Sequence, residues 1–186
     1  MFRIPWHRLL PRHRRIVAFR ILAGLGLVGL GFATPWLWGG GFSGLLTGAD
    51  GRPCTLNSIH DGDTARATCP EGQVKIRLYC IDAPEIAQRP WGSESRDHLR
   101  RIAPQTVSLI AHDKDRYGRI VGEVFGHAGQ SLNLALVEAG RAAVYPADCK
   151  EPRFFAAQDR AKSAQRGIWE KPGDQQRPWE WRRTGQ

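Results

Sequence analysis

The chain has 186 residues, of which 41% are hydrophobic and 24% are charged. This is enough for one domain with its own core, and it excludes a disordered or collagen-like protein. The formal net charge is +9, but six arginines within residues 1–20, a stretch without acidic residues, account for six of these charges. The overall charge is therefore weak evidence for a nucleic-acid partner.

The first 38 residues are typical of a membrane-targeting segment. Basic residues up to Arg20 precede residues 21–38, eighteen positions without a charged side chain, which is close to the length of a membrane-spanning helix. Three interpretations are open: a retained signal anchor, a cleaved signal peptide and a buried helix of the folded domain. We favour the anchor, because the apolar run is longer than that of a cleavable signal. The positive-inside rule then places the rest of the chain on the extracytoplasmic side, or releases it as a secreted protein if the segment is cleaved.

The rest of the chain divides into a glycine-rich linker over residues 39–51, a mixed α and β domain over residues 52–170 and a C-terminal segment over residues 171–186. Alternating or β-branched runs predict five strands, at residues 55–59, 64–68, 74–81, 106–111 and 119–125. Helix-forming runs predict three helices, at residues 94–102, 131–139 and 153–165. Residues 171–186 are either a strap across the domain, which we favour, or an accessory contact to nucleic acid.

Four carboxylates carry the first functional signal. Asp61 and Asp63 lie at the predicted hairpin turn between the first two strands, and Asp82 and Glu85 follow the third strand. If adjacent strands bring these side chains together, their mutual repulsion requires a positive charge among them. A set of oxygen ligands suits Ca²⁺ or Mg²⁺ better than zinc. The alternative is a group of unrelated, solvated loop acids.

Two arginines supply the second functional signal. Arg77 lies on the polar face of the third strand, and Arg119 follows the polar turn between the last two strands. A guanidinium matches phosphate oxygens with two parallel hydrogen bonds and keeps its charge. Beside a carboxylate-bound cation, such a pair is suited to binding a phosphodiester and stabilising the charge that develops during its hydrolysis.

Three motifs then identify a family. Residues 60–64 (HDGDT), 76–85 (IRLYCIDAPE) and 115–119 (DRYGR) closely resemble the staphylococcal nuclease family in order and spacing, and the resemblance covers about residues 54–169. It implies an α+β fold, a five-stranded OB-fold β-barrel with three α-helices, here preceded by the N-terminal hydrophobic helix. It also implies a Ca²⁺-dependent nuclease that hydrolyses DNA and RNA and leaves 3′-phosphate ends.

The resemblance assigns roles to individual residues. The implied catalytic residues are Arg77, Glu85 and Arg119, with Glu85 either the general base or an orienting group. The implied metal ligands are Asp63, Asp82 and the backbone carbonyl of Ala83, supported by Asp61. The implied contacts to substrate phosphate and base are Arg116, Tyr117 and Tyr145. The region around Tyr145 is shorter than in the family pattern, so the base pocket is the least defined part of the site.

An alternative function from another class is a catalytically silent OB-fold module that binds nucleic acid or protein. The complete set of Arg77, Glu85 and Arg119 argues against it, because binding alone needs no general base. We expect a monomer without a protein partner, tethered to the membrane by its N-terminal segment.

The four cysteines lack the C-x-x-C spacing of a zinc site. Antiparallel pairing around the Asp61-Gly62 turn places Cys54 opposite Cys69, close enough for a disulfide unless a bulge shifts the register. Cys80 and Cys149 then form a second disulfide by elimination. The alternative is four buried thiols, as expected in a cytosolic protein.

Overall fold

The computed structural model describes residues 51–185. The predicted anchor, its orientation and nearly all of the predicted linker lie outside the described residues. Within residues 51–185, no helix combines the length and the apolar character that crossing a bilayer requires.

Five strands close into a barrel, namely β1 (Arg52–Ile59), β2 (Thr64–Cys69), β3 (Gly72–Leu78), β5 (Thr106–Lys114) and β6 (Ile120–Phe125). Their order around the barrel is β1-β2-β3-β6-β5. The pair β3–β6 is parallel and the other pairs are antiparallel. The predicted OB-fold barrel is therefore confirmed.

The third strand is shorter than predicted. It ends at Leu78 rather than at Ile81, because Cys80 adopts a left-handed backbone conformation (φ 69°) that breaks the alternation. The chain then forms the short strand β4 (Ile81–Asp82), which pairs with β7 (Ala143–Val144) outside the barrel. This turn places Asp82 beside the end of β3 rather than further along the barrel wall.

Within residues 51–185, four α-helices accompany the barrel, namely α1 (Trp91–Ile102), α2 (Leu132–Glu138), α3 (Pro152–Ser163) and α4 (Pro178–Arg183). The first three correspond to the predicted helices, and α4 was not predicted. The Ser131 hydroxyl caps α2 by accepting a hydrogen bond from the Leu134 N–H, and Pro152 opens α3 at a position where no N–H is needed. Phe154 of α3 and Leu136 of α2 are completely buried in the same core as Ile76 of β3.

The hairpin between β1 and β2 differs from a two-residue turn. The His60 N–H donates to the Thr64 carbonyl at 3.2 Å, and Ile59 pairs with Ala65. A bulge near Asn57 then shifts the register by one residue, so that Cys54 still faces Cys69. The pairing prediction is correct although the turn it assumed is not. Gly62 is needed for space rather than for a positive φ, since an added Cβ would collide with the Ser95 hydroxyl of α1.

Both predicted disulfides are present, Cys54–Cys69 and Cys80–Cys149. They close loops with sequence separations of 15 and 69 residues.

Because the stabilisation grows with the length of the loop that a disulfide closes, we expect replacing Cys54 and Cys69 with alanine to lower the free energy of unfolding by about 3 kcal/mol. Replacing Cys80 and Cys149 should cost about 4 kcal/mol. Urea denaturation of the two double variants measures both losses, and a loss below about 1 kcal/mol in either would contradict the expectation.

Candidate active site

The predicted carboxylates converge where three segments meet. Asp63 ends the β1–β2 loop, and its carbonyl accepts a hydrogen bond of 2.8 Å from the N–H of Leu78 at the end of β3. Its carboxylate Oδ2 accepts a hydrogen bond of 2.8 Å from the N–H of Ala83, just after β4. The loop is thus fastened to both neighbouring segments, and Asp63 comes to lie beside Asp82.

Arg77 lies between the two predicted metal-binding aspartates. Its guanidinium contacts the Asp63 carboxylate and donates to Oδ1 of Asp82 at 2.7 Å. Asp82 has no exposed surface and Asp63 is 7% exposed. Two buried carboxylates therefore share the charge of Arg77, and Asp82 also contacts a second guanidinium, that of Arg182 in α4.

The pKa values of these two aspartates move in opposite directions. Burial by itself raises the pKa of Asp63, but the charge and hydrogen bonds of Arg77, together with the Ala83 N–H and the Thr64 hydroxyl, bring it below its usual value. Burial raises the pKa of Asp82, with a further contribution from the Asp63 charge and opposition from arginines. Arg77 thus outweighs burial at Asp63, whereas burial and the Asp63 charge outweigh the arginines at Asp82.

A polar turn after β5 positions the second predicted arginine. Asp115 Oδ1 accepts hydrogen bonds from the backbone N–H groups of Tyr117 and Arg119, at 2.9 and 3.0 Å. Asp115 Oδ2 accepts a hydrogen bond of 2.6 Å from Nε of Arg119. Asp115 therefore orients Arg119, a role that the motif contained but that the sequence analysis did not assign.

The two predicted substrate-binding groups of this turn are exposed. Tyr117 is 70% exposed, and the guanidinium groups of Arg116 and Arg119 lie 4.9 and 5.6 Å from the centre of its ring. Arg116 also donates to the Tyr117 hydroxyl at 2.8 Å. An exposed ring flanked by two cations suits stacking on a base beside a phosphate.

One cavity of about 770 Å³ joins most of these side chains. Of the predicted site residues, those that line it are Asp63, Arg77, Glu85, Arg116, Tyr117, Arg119 and Tyr145. Asp82 and Ala83 lie behind this wall, 0% and 3% exposed. The structure therefore brings Asp63, Glu85, both arginines and the three substrate-binding candidates to one open cavity, whereas Asp82 is buried next to it.

Comparison with known proteins agrees with this geometry. A family model described as staphylococcal nuclease homologue matches residues 75–171. An uncharacterized endonuclease of Escherichia coli is 38% identical over 125 residues, covering 67% of this chain and 80% of the relative. An uncharacterized endonuclease of Haemophilus influenzae is 34% identical over 132 residues, covering 70% of this chain and 72% of the relative. The chain belongs to the family of staphylococcal nuclease homologues.

The endonuclease YhcR of Bacillus subtilis is also similar, 34% identical over 134 residues that cover 61% of this chain and 11% of that protein. As a staphylococcal nuclease homologue, the chain is a nuclease, an enzyme that hydrolyses phosphodiester bonds of nucleic acids. The assignment as a nuclease replaces the alternative function, a catalytically silent OB-fold module that binds nucleic acid or protein.

Sequence reasoning missed one arginine of this nuclease site. Arg182 of α4 donates to both oxygens of Asp82 at 2.9 Å and to Oε1 of Glu85 at 2.8 Å. It lies beyond residues 75–171, the stretch that matches the family. The signal available in the sequence was the basic C-terminal segment, interpreted above as a strap or an accessory contact.

A second group of metal-ligating side chains lies elsewhere in the nuclease. Ligand atoms of His112, Glu123 and Glu151 lie within 4.8 Å of one another. The Arg153 guanidinium donates to both glutamates at 2.6 Å, so a cation already bridges them. This group contains none of the predicted metal ligands, and we assign it no role.

Asp61 stabilises the loop by a hydrogen bond, but its carboxylate is partly buried and close to that of Asp63. Its Oδ1 accepts a hydrogen bond of 3.0 Å from the Asp63 N–H. Burial, followed by the Asp63 charge, raises the pKa of Asp61 to about 6. In the absence of a cation, ionised Asp61 therefore destabilises the fold.

The raised pKa of Asp61 predicts that the free energy of unfolding of the wild type differs from that of Asp61→Asn in a pH-dependent way. The asparagine keeps the Oδ1 acceptor but cannot ionise. Near pH 3 and below, Asp61 is mostly protonated in both the folded and the unfolded states, and the wild type and the variant should be about equally stable. Between pH 4 and 6 the unfolded carboxyl ionises while the folded one does not, so the wild type loses stability relative to the variant. Above about pH 6, Asp61→Asn should be more stable by about 1–3 kcal/mol. Urea denaturation in chelator across this range measures the difference, and a difference independent of pH would contradict the assignment.

Proposed function

We propose that this nuclease requires Ca²⁺, hydrolyses both DNA and RNA, and leaves 3′-phosphate ends. The observation that carries the proposal is that Asp63, Glu85, Arg77 and Arg119 line one open cavity, with the buried Asp82 in contact with Arg77 of its wall. Metal dependence follows from the family, and the choice of Ca²⁺ is supported by the chemistry of the acids.

The residues fit a hard divalent cation. Asp63 and Asp82 offer carboxylate oxygens from adjacent segments, and the Ala83 backbone, fastened to Asp63, offers a carbonyl. Oxygen ligands without cysteine or histidine suit Ca²⁺ or Mg²⁺, and the flexible ligand geometry of Ca²⁺ is the easier match to ligands from a loop and a short strand. When bound, the cation would supply positive charge that draws a phosphate oxygen into the site and stabilises the transition state.

The chain's own groups perform the remaining steps. Arg77 and Arg119 present guanidinium donors to the non-bridging phosphate oxygens, and their donation strengthens as negative charge develops there. Glu85 accepts a proton from the attacking water, whose oxygen forms the new bond to phosphorus. The bond between phosphorus and the 5′-oxygen breaks, this oxygen takes up a proton from solvent water, and Glu85 returns its proton to solvent. The phosphate stays on the 3′-oxygen.

The lack of a preference between DNA and RNA is supported by the exposed substrate-binding groups. Tyr117 and Arg116 are suited to stacking on a base and pairing with phosphate, interactions that all bases and both sugars permit.

Matched DNA and RNA oligonucleotides test the substrate range, and the phosphatase sensitivity of the product termini tests which end carries the phosphate. We expect both substrates to be cut and the new 3′ ends to carry phosphate. New ends with a free 3′-hydroxyl, or cleavage confined to one nucleic acid, would contradict the proposal.

We also propose that residues 1–38 hold the nuclease domain on the extracytoplasmic side of a membrane. The two disulfides support this location, because such bonds persist in oxidising compartments. Protease added to spheroplasts of an expressing bacterium should digest the domain, and it should stay with the membrane fraction. A protease-resistant domain would overturn the orientation, and a soluble product beginning near Thr34 or Gly39 would overturn the anchor in favour of secretion.

A further inference from the structure

The C-terminal helix α4 places a guanidinium directly on the carboxylates that would hold the cation. Arg182 contacts Asp82 through one nitrogen, at 2.9 Å from each carboxylate oxygen. Its other terminal nitrogen donates to Oε1 of Glu85 at 2.8 Å. Arg182 therefore joins a predicted metal ligand to the predicted general base.

The segment that carries Arg182 is fastened to the domain rather than free. The buried side chain of Gln175 donates to the carbonyls of Ile168 and Lys171, at 3.2 and 2.5 Å. Pro178 at the start of α4 is buried. The ring of Trp179 packs against Tyr145, with the ring centres 5.5 Å apart. The hydrogen bonds of Gln175, the burial of Pro178 and the Trp179–Tyr145 contact thus hold this segment against the domain.

Arg182 and a cation would compete for the same oxygens. Oδ1 of Asp82 accepts from Arg77 and Arg182, and Oδ2 accepts from Arg182. Asp82 has no exposed surface, so a cation can bind its oxygens only if a neighbouring group moves, and Arg182 is the more exposed of its two arginine partners. A divalent cation on Asp82 would also repel a guanidinium a few ångströms away.

We propose that Arg182 is an autoinhibitory residue that occupies the place of the cation on Asp82 while it also holds Glu85, and that cation binding displaces it. The C-terminal helix then lowers the affinity of the site for the cation. Displacement also frees Glu85 from its guanidinium contact, which couples cation binding to the availability of the general base. This inference rests on the proposed function, because it places the cation at Asp82.

Calorimetric titration of Ca²⁺ into the full-length protein, without substrate, tests the inference apart from activity. Arg182→Gln removes the competing charge and the bidentate contact, and we expect it to tighten Ca²⁺ binding about 3- to 30-fold. Arg182→Lys keeps the charge but loses the planar fork, and its affinity should lie between those of Arg182→Gln and the wild type. The neighbouring Arg183, exposed on the same helix, provides the matched control. Arg183→Gln should bind Ca²⁺ within about twofold of the wild type.

The outcomes separate this inference from the proposed function. Wild-type binding of Ca²⁺ that Arg182→Gln leaves unchanged or weakens would overturn the role of Arg182 alone. Equal tightening by Arg182→Gln and Arg183→Gln would also overturn it, since general charge removal would then explain the effect. Absence of Ca²⁺ binding in every variant would overturn it together with the proposed Ca²⁺ dependence.

Discussion

Replacing Glu85 with glutamine is expected to lower the turnover of phosphodiester hydrolysis by about 10²–10⁴-fold, the usual value of general-base assistance. Glutamine keeps the shape of the side chain and its ability to accept a hydrogen bond, but it cannot take a proton from water. Ca²⁺ binding should persist, because the proposed ligands Asp63 and Asp82 are unchanged. Steady-state kinetics at saturating Ca²⁺, with calorimetry of the same protein, measures both quantities.

Glu138→Gln is the matched control for this experiment. Glu138 lies at the end of α2, and its carboxylate accepts a 2.9 Å hydrogen bond from Arg160. An exposed pair of this kind contributes little to stability, so the control should retain wild-type turnover. If Glu85→Gln cleaves at a nearly native rate while binding Ca²⁺, Glu85 is an orienting group and the general base must be sought elsewhere.

The second large effect is expected from the arginine pair. Replacing either Arg77 or Arg119 with lysine should lower turnover by about 10²-fold or more, the usual loss when one preorganised donor to the transition state is removed. A lysine keeps the charge, but it cannot contact Asp63 and Asp82 together as Arg77 does, nor reproduce the fork of Arg119. The loss should appear mainly in kcat, because charge on the phosphate develops in the transition state.

The matched control is Arg160→Lys, which alters an exposed arginine on α3 and should leave kcat unchanged. Arg77→Lys also changes the balance of charge around two buried carboxylates, so its Tm should be measured beside its kinetics. Arg119 is not in contact with those carboxylates among the described hydrogen bonds, and it provides the cleaner test. Wild-type turnover in Arg119→Lys would remove this arginine from the mechanism.

The barrel was predictable because each strand carries a local pattern. In β3, buried Ile76 and Leu78 alternate with the polar Lys75 and Arg77. Cys80 shows where such patterns fail. The alternation of apolar residues continued to Ile81, but the left-handed backbone at Cys80 turns the chain early, a conformation that no side-chain pattern announces. The helix α4 was missed because six residues are too few to display a helical period.

The site was predictable in its residues but not in its contacts. The motifs identified the acids and arginines that meet at the cavity, because each motif is contiguous in the sequence. Arg182 lies 100 residues from Asp82, and nothing in the sequence around it indicates a partner. Its placement depends on how Gln175, Pro178 and Trp179 pack, which is a property of the tertiary structure alone.

The most direct test of the account is the dependence of cleavage on Ca²⁺ at the Asp82 carboxylate. The full-length wild type and Asp82→Asn are compared on one DNA substrate, first with Ca²⁺, then with excess chelator, and finally with Ca²⁺ restored. We expect the wild type to cleave with Ca²⁺, to stop in chelator and to recover when Ca²⁺ returns, whereas Asp82→Asn should be strongly impaired at Ca²⁺ concentrations that saturate the wild type. Undiminished cleavage in chelator, or wild-type Ca²⁺ dependence in Asp82→Asn, would contradict it.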